Sequence, residues 1–357
     1  MNQATLRERF ADLRAQGKRH KDAAQACGVS EGEAIAAHTG RHERPLQAMP
    51  LRGPWVELLQ SLEACGPLLA LTRNASTVHE KTGVYTKVSA NGHVGLALGE
   101  EIDLRLFFNQ WHAGFAVTEA AANAGNLPSL SLQFFDKHGT AVHKIFVRDA
   151  SDREAFLATV EAYSDPAAGY AFQPAPAAAA IASDDAFDAA ALRSDWAAMK
   201  DTHEFFGMLR KHGVERRQSF RLTEGQFAWR AAPAAVRSLL QEAAFDGTPI
   251  MVFVGSPGCI QIHTGPVKRV EPMEIRGVPW LNVLDEGFNL HMREDAIAET
   301  WIVEKPTSDG IVTSVEAFDA DGTLMAMFFG ARKPGVPERK EWRALVSALP
   351  RLEGVPA

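Results

Sequence analysis

Two stretches decide the fold: LSLQFFDKHGTAVHKIFVR at 130–148 and IVTSVEAFDADGTLMAMFFG at 311–330. In each, an apolar or alternating run enters a turn that starts with Asp and closes with Gly-Thr, and a second such run leaves it. A period of two on both sides of a Gly-bearing turn is the mark of a β-hairpin. Phe135-Asp136-Lys137-His138-Gly139-Thr140 and Phe318-Asp319-Ala320-Asp321-Gly322-Thr323 match, so the hairpin occurs twice and the chain reads as a duplication. The match extends outward. Thr82-Gly83-Val84-Tyr85 pairs with Thr264-Gly265-Pro266-Val267, and Ile102–Leu106 with Phe288–Met292, at offsets of 182 to 186. Further upstream Lys18-Arg19-His20 resembles Arg210-Lys211-His212, and Ser30–Glu33 resembles Thr223–Gln226, at offsets of 192 to 193.

Trp196, Met199, His203, Phe206 and Arg210 recur at three- and four-residue spacing, which predicts one helix face. Each half therefore starts helical and becomes strand-rich. The expected fold is α+β: a tandem duplication of a helical segment followed by a mainly antiparallel β-sheet. Segment 164–195, rich in Ala, Pro, Asp and Ser, reads as a linker between a first repeat at 1–163 and a second at 196–357. No Gly-rich nucleotide fingerprint follows any strand.

With 357 residues, at roughly 150 per domain, the chain has room for about two domains. Hydrophobic residues make up 46% and charged residues 23%, the range of ordinary globular chains. A net charge of −7, from 37 Lys+Arg against 44 Asp+Glu, argues against a broad attraction to nucleic acid or anionic lipid. Cys27, Cys65 and Cys259 are odd in number and far apart, so neither a disulfide framework nor a structural zinc site is expected. The charged start MNQATLRERF has no secretory apolar stretch and no window is long enough to span a bilayer, so the expected address is the cytoplasm, without membrane insertion.

Several constellations carry two readings. Residues 21–38 have the outline of a helix-turn-helix with Ser30 as N-cap, but Glu31 and Glu33 would repel phosphate, so a helical hairpin is the expectation. His38 and His42 read as an exposed pair near a helix end. His93, His112, His138 and His263 have no identifiable partner. His203, among Met199 and Phe206, is either a satisfied core histidine or an axial ligand to a haem iron. Arg105, between Leu104 and Leu106, either pairs with Asp103 or faces a ligand. Lys305 and Arg332 stand at loop starts, and Arg216 and Arg217 follow the His203 helix; solvent is the ordinary environment for all four.

The runs DLRLFFNQW at 103–111, WAAMKDTHEFFGMLRKH at 196–212, IMVFVGSPGCIQIHTG at 250–265 and ETWIVEKPTSDGIVTS at 299–314 together resemble the bacterial haemin-degrading and haemin-transport family of the HemS/HmuS/ChuS type. The resemblance covers nearly the whole chain apart from the linker and the tails. It implies a cytoplasmic protein of two similar halves that receives imported haem, with haem b as ligand or substrate held between the halves. His203 would be the axial iron ligand, and Arg105 would approach the other haem face, donating a hydrogen bond to iron-bound water or dioxygen. These two would be the catalytic pair. Arg216, Lys305 and Arg332 would surround the pocket and neutralise the propionates. The family often has a tyrosine three residues before that last arginine; Phe329 stands there and lacks the hydroxyl.

The implied function is iron acquisition by oxidative haem degradation with iron release. The implied partners are a haem importer and a reductase, since no flavin or nicotinamide fingerprint is present. A carrier that delivers haem to a separate haem oxygenase is the alternative, and a DNA-binding adaptor comes third. His79 is either a second haem contact or a strand histidine.

Overall fold

The computed structural model describes residues 2–121, 127–177, 182–333 and 335–352, and the chain forms two compact units. The first comprises residues up to Arg73, Val78–Pro176 and Gly255–Gln261; the second comprises Asn74–Thr77, Ala177–Val254 and residues from Ile262 onward. This differs from a single cut within 164–195. Part of that stretch is held by side chains: His112 Nε2 bonds the Ala171 carbonyl at 2.9 Å, His138 Nδ1 bonds the Gln173 carbonyl at 3.2 Å, and Tyr170 donates to the Leu51 carbonyl. Phe172 packs on the apolar cluster around Phe10 and Phe115. Two aromatic rings are enough to anchor a run whose composition alone reads as loose. Residues 178–181 of the expected linker lie outside the described residues.

The first unit opens with α1 (Gln3–Ala15), α2 (His20–Cys27) and α3 (Glu31–Ala36), then β1 (Leu46–Leu51) and α4 (Trp55–Ser61). Strands β2 (Leu68–Arg73), β3 (Thr77–Gly83), β4 (Val88–Asn91), β5 (Val94–Leu98), β6 (Asp103–Phe107), β7 (Ala113–Glu119), β8 (Ser129–Phe135) and β9 (Ala141–Val147) follow, and α5 (Arg153–Tyr163) closes it. The second unit repeats the order. It has α6 (Ala189–Ala197), α7 (Glu204–His212), α8 (Arg216–Leu222), β10 (Ala228–Ala231) and α9 (Ala235–Asp246), then β11 (Ile250–Gly255) and β12 (Cys259–Gly265), whose first three residues belong to the first unit. Strands β13 (Val270–Ile275), β14 (Val278–Asp285), β15 (Phe288–Arg293), β16 (Glu299–Thr307), β17 (Gly310–Phe318) and β18 (Leu324–Gly330) precede α10 (Lys340–Ser347). Every strand pairing within a unit is antiparallel: β1-β7-β8-β9-β2-β3 and β4-β5-β6 in the first, β10-β16-β17-β18-β11 and β13-β14-β15 in the second.

The hairpin reading holds in both repeats, with the same turn chemistry. Asp136 Oδ1 accepts from the backbone N–H groups of His138 and Thr140, both at 2.8 Å, and Asp319 Oδ1 accepts from Asp321 and Thr323 at 3.1 and 2.8 Å. Gly139 and Gly322 sit at φ 76° and 82°, where a side chain is costly. The leading helices correct the expected alignment. Gly28-Val29 closes α2 and Gly213-Val214 closes α7, each glycine in the left-handed region. Helix α2 thus corresponds to α7 and α3 to α8, so the likeness of Lys18–His20 to Arg210–His212 is one of composition only. Ser30 caps α3 as expected, with a reciprocal bond from Glu33, but His38 is buried rather than exposed, its Nδ1 against the Ala34 carbonyl at 2.7 Å. Among the described residues no helix is long and apolar enough to cross a membrane.

Candidate functional site

The predicted face over Trp196, Met199, His203, Phe206 and Arg210 is not one helix. Helix α6 ends at Ala197 and α7 begins at Glu204, with His203 as its N-cap. Asp and Thr side chains compete for backbone donors, and Asp201 does so here. Its Oδ1 accepts from the His203 backbone N–H at 2.8 Å, while Glu204 Oε2 accepts from the Lys200 N–H at 2.9 Å. The Lys200 carbonyl in turn accepts from the Ser308 N–H at 2.9 Å, tying this loop to the turn between β16 and β17.

The break lifts His203 out of the core. Its side chain is 93% exposed, where the sequence placed it among apolar neighbours. Its Nδ1 meets Asp201 Oδ1 at 2.6 Å. An ionised carboxylate only accepts, so in the neutral ring the proton sits on Nδ1 and the lone pair on Nε2. The bonds from His203 hold the Asp201 carboxyl below the usual range, with the positive charge of Arg332 adding to the effect. On the next turn Phe206 is 63% exposed and its ring carries the Arg210 guanidinium, 5.1 Å from the centroid. Helix α7 therefore shows solvent a nitrogen lone pair and a largely exposed aromatic ring, while Phe205, Met208 and Leu209 bury its other face.

Beneath α7 lies a buried charge cluster that the sequence reading missed. Glu316 on β17 is fully buried and accepts a bidentate pair from Arg216, Nε and Nη2 both at 2.7 Å. Lys305 Nζ lies 3.2 Å from Glu316 Oε1 and 3.3 Å from Ser314 Oγ. The ring of Phe205 sits against both cations, 4.7 Å from Lys305 Nζ and 5.1 Å from the Arg216 guanidinium carbon. Neither cation faces solvent as its sequence context led us to expect: Lys305 lies within β16 and is 3% exposed, and Arg216 is turned inward by its bond to Glu316. Burial pushes the Lys305 ammonium down to about 8, and Arg216 and Lys305 hold Glu316 at about 2 against its own desolvation. Two cations on one carboxylate leave the cluster a net positive charge. The clue was legible in TSVEAF: a lone glutamate in an apolar strand requires a buried cation.

The remaining expected residues are placed as follows. Arg332 is mostly buried, 3.6 Å from Asp309, and donates to the Val336 carbonyl. Phe329 lies on β18 opposite Ser314 of β17, with its ring 5.1 Å from that of Phe253. Arg217 pairs with Glu299 at 3.1 Å instead of facing solvent. In the first unit Arg105 lies on β6 and pairs with Asp103, the structural alternative open at the sequence level. His79 is buried on β3. A second missed network surrounds His143: Nδ1 is 2.9 Å from Thr72 Oγ1 and Nε2 is 2.7 Å from the Tyr85 hydroxyl, and burial pushes this imidazole down to about 3.

A model of the haemin-degrading HemS.ChuX domain matches residues 28–163 and 213–349. Its two matches begin at the glycines that close α2 and α7. The hemin transport protein HmuS of Yersinia pestis is 38% identical over 349 residues, 97% of this chain and 97% of its own length. The holo form of PhuS, a heme-binding protein from Pseudomonas aeruginosa, is 46% identical with a TM-score of 0.92, covering 99% of this chain and 100% of that one. ChuS, described as an Escherichia coli heme oxygenase, is 34% identical with a TM-score of 0.85, and each chain is covered completely.

Proposed function

Since the chain belongs to the haemin-degrading HemS.ChuX domain family, we propose that it takes up haem on its second unit, with His203 as the axial iron ligand, and that it serves iron acquisition by oxidative haem degradation in the cytoplasm. The observation that carries this reading is the presentation of His203: an exposed imidazole whose Nδ1 is already engaged by Asp201, leaving Nε2 to a metal. The residues around it fit the rest of such a ligand. Phe206 offers an apolar ring to a flat macrocycle. Arg332 and the net positive charge of the Arg216–Lys305–Glu316 cluster favour propionate carboxylates. Phe329, its ring beside that of Phe253, would supply a wall without a hydroxyl.

The relatives divide between binding and chemistry, since HmuS and PhuS are described by transport and binding and ChuS by oxygenation. Haem supplies the iron and the oxidisable ring. His203 would hold it, and the buried cations would orient its carboxylates. The degradative reading would also need a hydrogen-bond donor from Arg105. The carrier alternative draws on Arg105 itself, whose guanidinium is engaged with Asp103 and so is less available as a donor.

Incubation of the haem-loaded protein with ascorbate under air, in the presence of catalase, separates the two. Loss of the Soret band with release of iron and a linear tetrapyrrole is the expected result, because catalase removes the free peroxide that would bleach haem without an enzyme. A Soret band that persists under these conditions leaves a carrier.

A further inference from the structure

We infer that Asp201 is a positioning residue for His203, fixing the ring's orientation and its proton on Nδ1 so that Nε2 is a stronger donor to a haem iron. This deepens the haem reading above and rests on it. The geometry is specific. One carboxylate oxygen accepts from both the backbone N–H and the ring Nδ1 of the same residue, at 2.8 and 2.6 Å. The backbone that carries both groups is itself pinned on either side, by Glu204 on the Lys200 N–H and by the Ser308 N–H on the Lys200 carbonyl. The ring is therefore oriented before any ligand arrives.

A carboxylate behind a ligating histidine raises the basicity of the other nitrogen, and removing such a partner typically costs about 10–100-fold in affinity. While the pair stands in water, with side-chain exposures of 93% and 60%, the bond adds little to stability. A flat apolar ligand lying over His203 would exclude that water, and the same bond would strengthen in the lower dielectric. Asp201 thus contributes little to folding and most of its effect to the liganded state.

The test compares haem complexes of wild type, Asp201→Asn, Asp201→Ala and Asp201→Glu, with His203→Ala as control and circular dichroism to verify folding. The expected result for the Asn and Ala variants is a lower iron–histidine stretching frequency in the ferrous complex. Their ferric affinity should fall about tenfold more than their ferrous affinity, which raises the one-electron reduction potential by about 59 mV. The Glu variant should recover part of both. An unchanged stretching frequency and potential in the Asn and Ala variants, with binding still dependent on His203, overturns the role of Asp201 alone. A His203→Ala complex identical to wild type overturns the haem reading and this inference together.

Discussion

Glu316 is the residue on which the second unit's polar interior turns. Fully buried, it is tolerable only because Arg216, Lys305 and Ser314 surround it. Removing one partner of a buried ion pair costs about 3–5 kcal/mol, because the charges left behind are uncompensated. Glu316→Gln, which leaves buried Lys305 and partly buried Arg216 facing an amide, should lower stability by about that amount in urea unfolding at pH 7; a loss below about 1 kcal/mol would show that water reaches the cluster. Lys305 adds a pH signature. Its ammonium is lowered from 10.5 to about 8, so between these values the unfolded chain binds the more protons and stability rises with pH. His143 acts in the same direction at lower pH. Lowered from 6.5 to about 3, it makes stability fall as pH drops through that window. His143→Gln should therefore flatten the decline of the urea midpoint between pH 6.5 and 3, and an unaltered slope would mean that this imidazole titrates normally.

At the scale of elements, the hairpins were legible because turn chemistry is local. Asp136 and Asp319 each accept two backbone N–H groups within their own turn, and the period of two is visible on either side. Asp319→Ala removes two hydrogen bonds from a turn in which the aspartate itself is buried, and should cost about 1–3 kcal/mol in thermal or urea unfolding; no change would mean that water replaces the carboxylate. The break between α6 and α7 was not legible, since Trp196, Met199 and Phe206 keep helical spacing across it. Between the two helices the Lys200 and His203 N–H groups go to the carboxylates of Glu204 and Asp201, a competition that periodicity does not register. The identity of His203 as a candidate was therefore accessible from its motif, while its exposure and its bond to Asp201 were not. Lys305 and Arg216 were found as residues and misplaced as environments, because Arg216 is 100 residues from its partner Glu316 and Lys305, 11 residues away, meets it only once β16 and β17 pair.

At the scale of the molecule, the two repeats share a frame and differ in charge. Glu31 opens α3 as Arg216 opens α8. Glu119 on β7 occupies the place of Lys305 on β16, since Val117 faces Ser131 and Val303 faces Ser314 in the matching hairpins. In the first unit the acids are matched by Lys144 on Glu31 and by Arg14 and His20 on Glu119. The duplication thus keeps a buried polar cluster under its helices in both repeats, with acids in the first where the second has cations. The net positive charge of the second cluster suits the carboxylates of a ligand, and Lys18 of the first repeat stands where His203 does, counting from Gly28 and Gly213. His79→Ala should accordingly leave haem stoichiometry and affinity unchanged in an absorption titration; two haems per wild-type chain falling to one in the variant would place a second haem in the first repeat. The most direct measurement is a Soret-band titration of the folded full chain with haemin, wild type beside His203→Ala. A sharp band saturating at one haem per chain, shifted and weakened at least tenfold in the variant, is the predicted result, whereas the same band and affinity in both proteins would contradict the assignment of His203 as the iron ligand.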